Sequence, residues 1–201
     1  MSKLSIISLN KITELKNKRI DTFKNISYSK GNCLVESKKN AHDFDKLYDD
    51  YCKSEGTKNK PTADALVTKS NCYFFIEFKN AAGVSKDILN SIFNKMVRSP
   101  ECLGDILVKY NKIKRWELVY KRNMQFIAVY SLKHFKSHMI QTTEGHTVNV
   151  TVNQKMRTRD KTIISHNKVL NDYMESNKGY YNKVLCIDNE AFEQFANVLC
   201  R

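Results

Sequence analysis

The stretch NCYFFIEFKN, from Asn71 to Asn80, decides how this chain folds. Its run of aromatic and β-branched residues is the composition of a buried strand. Alternate side chains of a strand share a face. Phe74, Ile76 and Phe78 therefore form one apolar face, and Tyr73, Phe75, Glu77 and Lys79 form the other. Two opposite charges thus leave the end of an otherwise apolar face side by side.

Upstream, TADALVT (62–68) reads as a second strand, and the intervening KSN has hairpin-loop chemistry. Folding 62–68 back on 72–79 puts Asp64 opposite Ile76 or Glu77. Two carboxylates that converge at a sheet edge repel each other. A divalent cation between them removes the conflict, since Mg²⁺ takes one or two protein carboxylates and fills its octahedron with water and phosphate oxygens. Lys79 alongside can orient a water or stabilise charge building on phosphorus. Placed this way, Asp64, Glu77 and Lys79 are the candidate catalytic residues of a phosphodiester-cleaving site, with Mg²⁺ or Mn²⁺ as cofactor.

Asp64 followed thirteen residues later by Glu77-Phe78-Lys79, with Pro61 upstream, resembles the core of the PD-(D/E)xK nuclease superfamily. The close match spans 61–80, and the surrounding order of helices and strands agrees more loosely. Pro61 stands three residues before Asp64 instead of adjoining it, which departs from the family pattern. The resemblance implies a restriction-endonuclease-like α/β core. It makes Asp64 and Glu77 metal ligands, adds the Phe78 backbone carbonyl as a further ligand, and makes Lys79 the lysine that serves the attacking water. It also implies cleavage that leaves a 5′-phosphate, with DNA as the default substrate and RNA an open alternative. E-x-K occurs three times here, at Glu14/Lys16, Glu36/Lys38 and Glu77/Lys79; only the third ends an apolar strand whose hairpin partner carries an aspartate. Many members add an acidic residue from a preceding helix. Asp43 and Asp45 flank the apolar face of such a helix here, and Asp45 is the expected ligand, with Glu36 and Glu14 less well placed.

Around this core, 9–26 has helical spacing of Leu9, Ile12, Leu15, Ile20 and Phe23, and 41–53 places Phe44, Leu47, Tyr48, Tyr51 and Cys52 on one helical face. A helix is expected over 84–98, with a shorter one starting at Glu101 after Ser99-Pro100. QFIAVYSL (125–132) reads as a central strand and HTVNVTV (146–152) as a half-exposed one. KVLCI is a last strand, followed by Asp188 as N-cap of a helix to Leu199. The expected fold is a single α/β domain over 1–201, a mixed central sheet flanked by helices.

The chain carries 34 Lys and Arg against 21 Asp and Glu, a net +13, which attracts polyanions, nucleic acid first among them. Lys109, Lys112, Lys114, Arg115, Lys121 and Arg122 interleave with Tyr110, Trp116 and Tyr120, so cations can meet phosphates while aromatics such as Trp116 meet bases. QKMRTRDK (154–161), with Arg157 and Arg159, is a second basic stretch, and Asn90, Asn94 and Lys95 follow the motif on its helix. No run of apolar residues approaches the roughly 18 of a membrane helix. The N-terminus has no signal-peptide pattern, and six scattered cysteines without metal spacing suit small core positions in a reducing cytoplasm. The five histidines are dispersed, and no phosphate-binding Gly-rich loop points to ATP. Two other classes stay open: a non-catalytic nucleic-acid-binding protein, and a protein-binding immunity or anti-defence factor that turns its basic face to an acidic partner.

Overall fold

The computed structural model describes residues 6–29, 31–80, 86–110, 112–114, 122–131, 172 and 174–200. After a 3₁₀ turn at Leu9–Lys11, the elements are β1 (Ile20–Thr22), α1 (Phe23–Ile26), β2 (Tyr28–Ser29), β3 (Asn32–Cys33), β4 (Asn40–Asp43), α2 (Phe44–Glu55), β5 (Ala65–Lys69), β6 (Cys72–Lys79), α3 (Lys86–Lys109), β7 (Met124–Tyr130), β8 (Lys183–Asp188) and α4 (Asn189–Leu199). One mixed six-stranded sheet runs β1-β4-β5-β6-β7-β8, antiparallel as far as β6 and parallel from β6 to β8. β2 and β3 form a separate ribbon.

The β5–β6 hairpin turns on Ser70 and Asn71, both at positive φ (48° and 56°), between the paired Lys69 and Cys72. Positive φ at both central residues is the two-residue turn whose twist matches that of paired strands. The register Ala65↔Ile76, Leu66↔Phe75 carries on to set Asp64 beside Glu77. The alternation of β6 sorts as expected. Tyr73 and Phe75 enter one core with Phe44, Leu47 and Tyr48 of α2 and Ile92, Met96 and Leu103 of α3. Ile76 enters the other, against Phe23, Phe192 and Ala196, with Phe74 and Phe78 packed at its margin. β7 divides the same way, Phe126 and Ala128 to the first face and Ile127 and Val129 to the second. The result is a sheet covered on both sides, α2 and α3 over one face and α4 over the other. Asp188 caps α4 by accepting the Ala191 N–H at 2.7 Å, as its sequence position predicts.

Three expectations are corrected. Residues 9–26 do not form one helix: Asn17 and Arg19 sit at positive φ (64° and 51°), and Ile20 begins an edge strand paired to His42. The apolar positions are nevertheless core. Leu9, Ile12 and Leu15 go to the first face and Phe23 to the second, a division that no single helix could make. Residues 41–43 belong to β4, and the helix starts at Phe44 with Asp43 as its N-cap, accepting the Lys46 N–H at 3.1 Å.

Finally, Pro100 does not divide α3, which continues to Lys109. Proline lacks the N–H that would bond the carbonyl four residues back. That carbonyl, of Met96, accepts the Tyr181 hydroxyl at 2.9 Å instead. Tyr181→Phe should therefore destabilise the fold by about 1–3 kcal/mol, the usual effect of stranding a buried polar group. In a Pro100→Ala background, where the restored N–H can serve Met96, the same change should have a smaller effect. Urea unfolding of the four-member cycle measures the difference.

No disulfide joins the six cysteines, and Cys52, Cys72, Cys102 and Cys186 are buried, in keeping with core use. Among the described residues no helix is long and apolar enough to cross a membrane. The expected strand over 146–152 lies outside the described residues.

Candidate active site

Asp64 ends the loop into β5 and is held on several sides. Its backbone carbonyl accepts the Phe44 N–H at 2.9 Å, and its Oδ2 accepts the Phe78 N–H at 2.6 Å. The preceding Ala63 N–H donates to Ser99 Oγ at 2.8 Å, and that hydroxyl donates to the Lys95 carbonyl at 2.6 Å. Asp64 is thus anchored to the start of α2, to β6 and, through Ser99, to α3.

Glu77 projects from β6 toward the same point, its side chain only 1% exposed. Lys95 Nζ, from α3, bridges the two carboxylates, 2.9 Å from Asp64 Oδ1 and 2.8 Å from Glu77 Oε2. Lys79 Nζ lies 2.7 Å from Glu77 Oε1 and donates to Ser91 Oγ at 2.9 Å. The Lys79 contact is an ion pair without hydrogen-bond alignment, so Glu77 Oε1 is a buried acceptor lacking an aligned donor. Asp64 and Lys79 side chains are 23% and 20% exposed, which opens this side of the cluster to solvent. The Phe78 ring points to the opposite face, against Phe23 and Phe192, and leaves only its backbone at the site.

Burial, with Asp64 adding repulsion, pushes the Glu77 carboxyl up to about 7 against the pull of Lys95 and Lys79. Burial opposes charge on Lys95, but Glu77 and Asp64 outweigh it and raise its pKa. Glu77 therefore contributes stability below its ordinary 4.5 that is lost as pH rises through about 7.

His42 acts in the opposite sense. It is 4% exposed, with Nδ1 3.1 Å from the Lys18 carbonyl and Nε2 3.0 Å from Asn10 Oδ1, and burial depresses its pKa below the ordinary 6.5. The unfolded chain therefore takes up the proton first, so the His42 contribution is full above 6.5 and falls as pH drops below it. Between pH 7.5 and 5.5 the two groups oppose each other, so on acidification the denaturant midpoint of His42→Gln should shift toward higher stability relative to that of the parent chain.

Two carboxylates that converge on one point, one of them buried with an unaligned oxygen, suit Mg²⁺ or Mn²⁺, which need only one or two protein carboxylates. Among the described residues no third His, Cys, Asp or Glu joins them in a group placed to hold a metal. Asp45, the expected helix ligand, accepts the Thr62 hydroxyl at 2.8 Å. Asp43 is the α2 cap and pairs with Lys46 at 2.6 Å. Glu36 pairs with Lys24 at the surface, and Glu14 is exposed.

Of the expected nucleic-acid contacts, Lys112 and Lys114 are exposed. Lys109 is paired with Glu55 at 2.7 Å and lies 5.6 Å from the centre of the Tyr51 ring. Arg122 is 5% exposed, so it is not the surface cation that its sequence neighbours suggest. Arg115, Trp116, Lys121, Arg157 and Arg159 lie outside the described residues.

The sequence reading put Lys95 near a phosphate path and missed its bridging role, along with Ser91 and Ser99. The signal was present. Ser91, Lys95 and Ser99 repeat every four residues beside the apolar Ile88, Ile92 and Met96, which marks a polar stripe at the edge of a buried helix face. Comparison with family models, with curated protein sequences and with solved structures finds no match for this chain.

Proposed function

We propose that this chain is a divalent-metal-dependent nuclease with a restriction-endonuclease-like core, acting on DNA. The observation that carries the reading is the convergence of Asp64 and Glu77 on one partly solvent-accessible point, with Lys79 on the same face of β6. Asp64 and Glu77 hold the metal, aided by the Phe78 carbonyl, and Asp45 steadies the approach to Asp64 through Thr62. The bound ion supplies Lewis-acid polarisation of the phosphoryl oxygen and a more acidic water. Lys79, directed by Ser91, orients the attacking water or neutralises charge on phosphorus. The net +13 draws the polyanion in, and the exposed Lys112 and Lys114 beyond α3 extend its track. Residues 1–201 work as one domain in a reducing cytoplasm, with RNA as a second substrate class.

Incubation with plasmid DNA in Mg²⁺ and in EDTA tests this. Cleavage confined to the Mg²⁺ arm, with ends that ligate without prior phosphorylation, is the expected result. Intact plasmid in both arms alongside salt-sensitive binding would instead favour a non-catalytic nucleic-acid binder. One observation favours that second reading: Asp64, Glu77, Lys79 and Lys95 already balance one another in charge.

A further inference from the structure

Lys95 occupies the place between the carboxylates that a divalent cation would use. Its Nζ contacts Asp64 Oδ1 at 2.9 Å and Glu77 Oε2 at 2.8 Å. A Mg²⁺ bonded to the same two oxygens at about 2.0–2.1 Å would sit no more than about 5 Å from that ammonium, and the two cations would repel. Two carboxylates and two ammonium groups already sum to zero, and the enclosure of Glu77 leaves little water to screen two added positive charges. Glu77 Oε1 is buried and meets the Lys79 ammonium at 2.7 Å, so each oxygen of this carboxylate faces a lysine that a metal would have to contend with. Lys95 also has somewhere to go: its side chain is 18% exposed and ends a flexible four-carbon stem.

We propose that Lys95 is a built-in counter-ion that competes with the metal for Asp64 and Glu77, so that the ion enters only as the Lys95 ammonium withdraws. This rests on reading the hairpin as a metal site. Lys95 then sets the metal affinity. It holds two like charges together while the site is empty of metal, and it keeps metal binding weaker than the carboxylate pair alone would allow.

Calorimetric titration with Mn²⁺ alone tests the proposal. Lys95→Met should bind Mn²⁺ at least about tenfold more tightly than the parent chain, and adding Asp64→Asn should abolish the binding in both backgrounds. Equal or weaker binding by Lys95→Met, with the Asp64 dependence intact, overturns the competition and leaves the metal site standing. Absence of any Asp64-dependent binding in both backgrounds overturns the metal site and the competition together.

A readout on the unsubstituted chain guards against misfolding of the variant. Labelling of Lys95 by an amine-directed reagent, quantified by peptide mass spectrometry, should rise several-fold when Mn²⁺ saturates the Asp64-dependent site. Unchanged labelling at saturation overturns the proposal.

Discussion

Glu77→Gln and Lys79→Met should both lower the single-turnover rate of DNA cleavage by at least about a thousandfold, but for different reasons. Glu77 is the buried half of the carboxylate pair, and its replacement removes a ligand charge while keeping the side-chain volume. Mn²⁺ binding should weaken by more than about tenfold, and added metal should recover part of the rate. Lys79 is held by Ser91 and meets Glu77 as a counter-ion, so its replacement should not weaken metal binding and should still remove the rate. Calorimetry and cleavage on the same preparations separate the two. A Lys79→Met chain that cuts at the parental rate would remove Lys79 from the reaction.

The second large effect concerns the scaffold. Phe75→Ala should destabilise the fold by about 3–5 kcal/mol and lower Tm by roughly 10 °C. Phe75 is wholly buried, its ring 5.6 Å from that of Phe44 and 5.8 Å from that of Tyr181. Removing it opens a cavity where α2, β6 and the segment before β8 meet, against a total stability of only about 5–15 kcal/mol. Phe74, one residue earlier, faces the other side, is partly exposed and meets Phe195 at 6.3 Å. Phe74→Ala should have less than half the effect. Equal losses in calorimetric melts would contradict the two-faced reading of β6.

That two-faced reading was legible because it depends on local facts. Strand alternation and the polar KSN turn give the hairpin and narrow the partner of Asp64 to Ile76 or Glu77, and the two-residue turn at Ser70 and Asn71 sets it beside Glu77. The neighbouring elements were harder to read wherever distant residues decide. Leu9, Ile12, Leu15 and Phe23 have helical spacing yet serve two different cores, and periodicity says only that a residue is buried, not under which layer. Pro100 reads as a helix stop until Tyr181, 81 positions on from it, supplies the donor that proline lacks. Lys95 reads as a surface cation until the topology brings Asp64 and Glu77 beneath it from 31 and 18 positions away. Asp45 reads as a third ligand from its helical angle, and the fold adds a partner for it, the Thr62 hydroxyl at 2.8 Å.

The central claim is that Asp64, Glu77 and Lys79 form a metal-dependent phosphodiesterase site. Its most direct test is cleavage of duplex DNA, single-stranded DNA and RNA in Mg²⁺ or Mn²⁺, with Glu77→Ala and Lys79→Ala chains of verified fold run alongside. The account predicts metal-dependent cutting of DNA that each substitution abolishes. Intact substrates across the whole panel, or variants that cut as well as the parent, would contradict it and reduce these charges to a structural cluster at the end of β6.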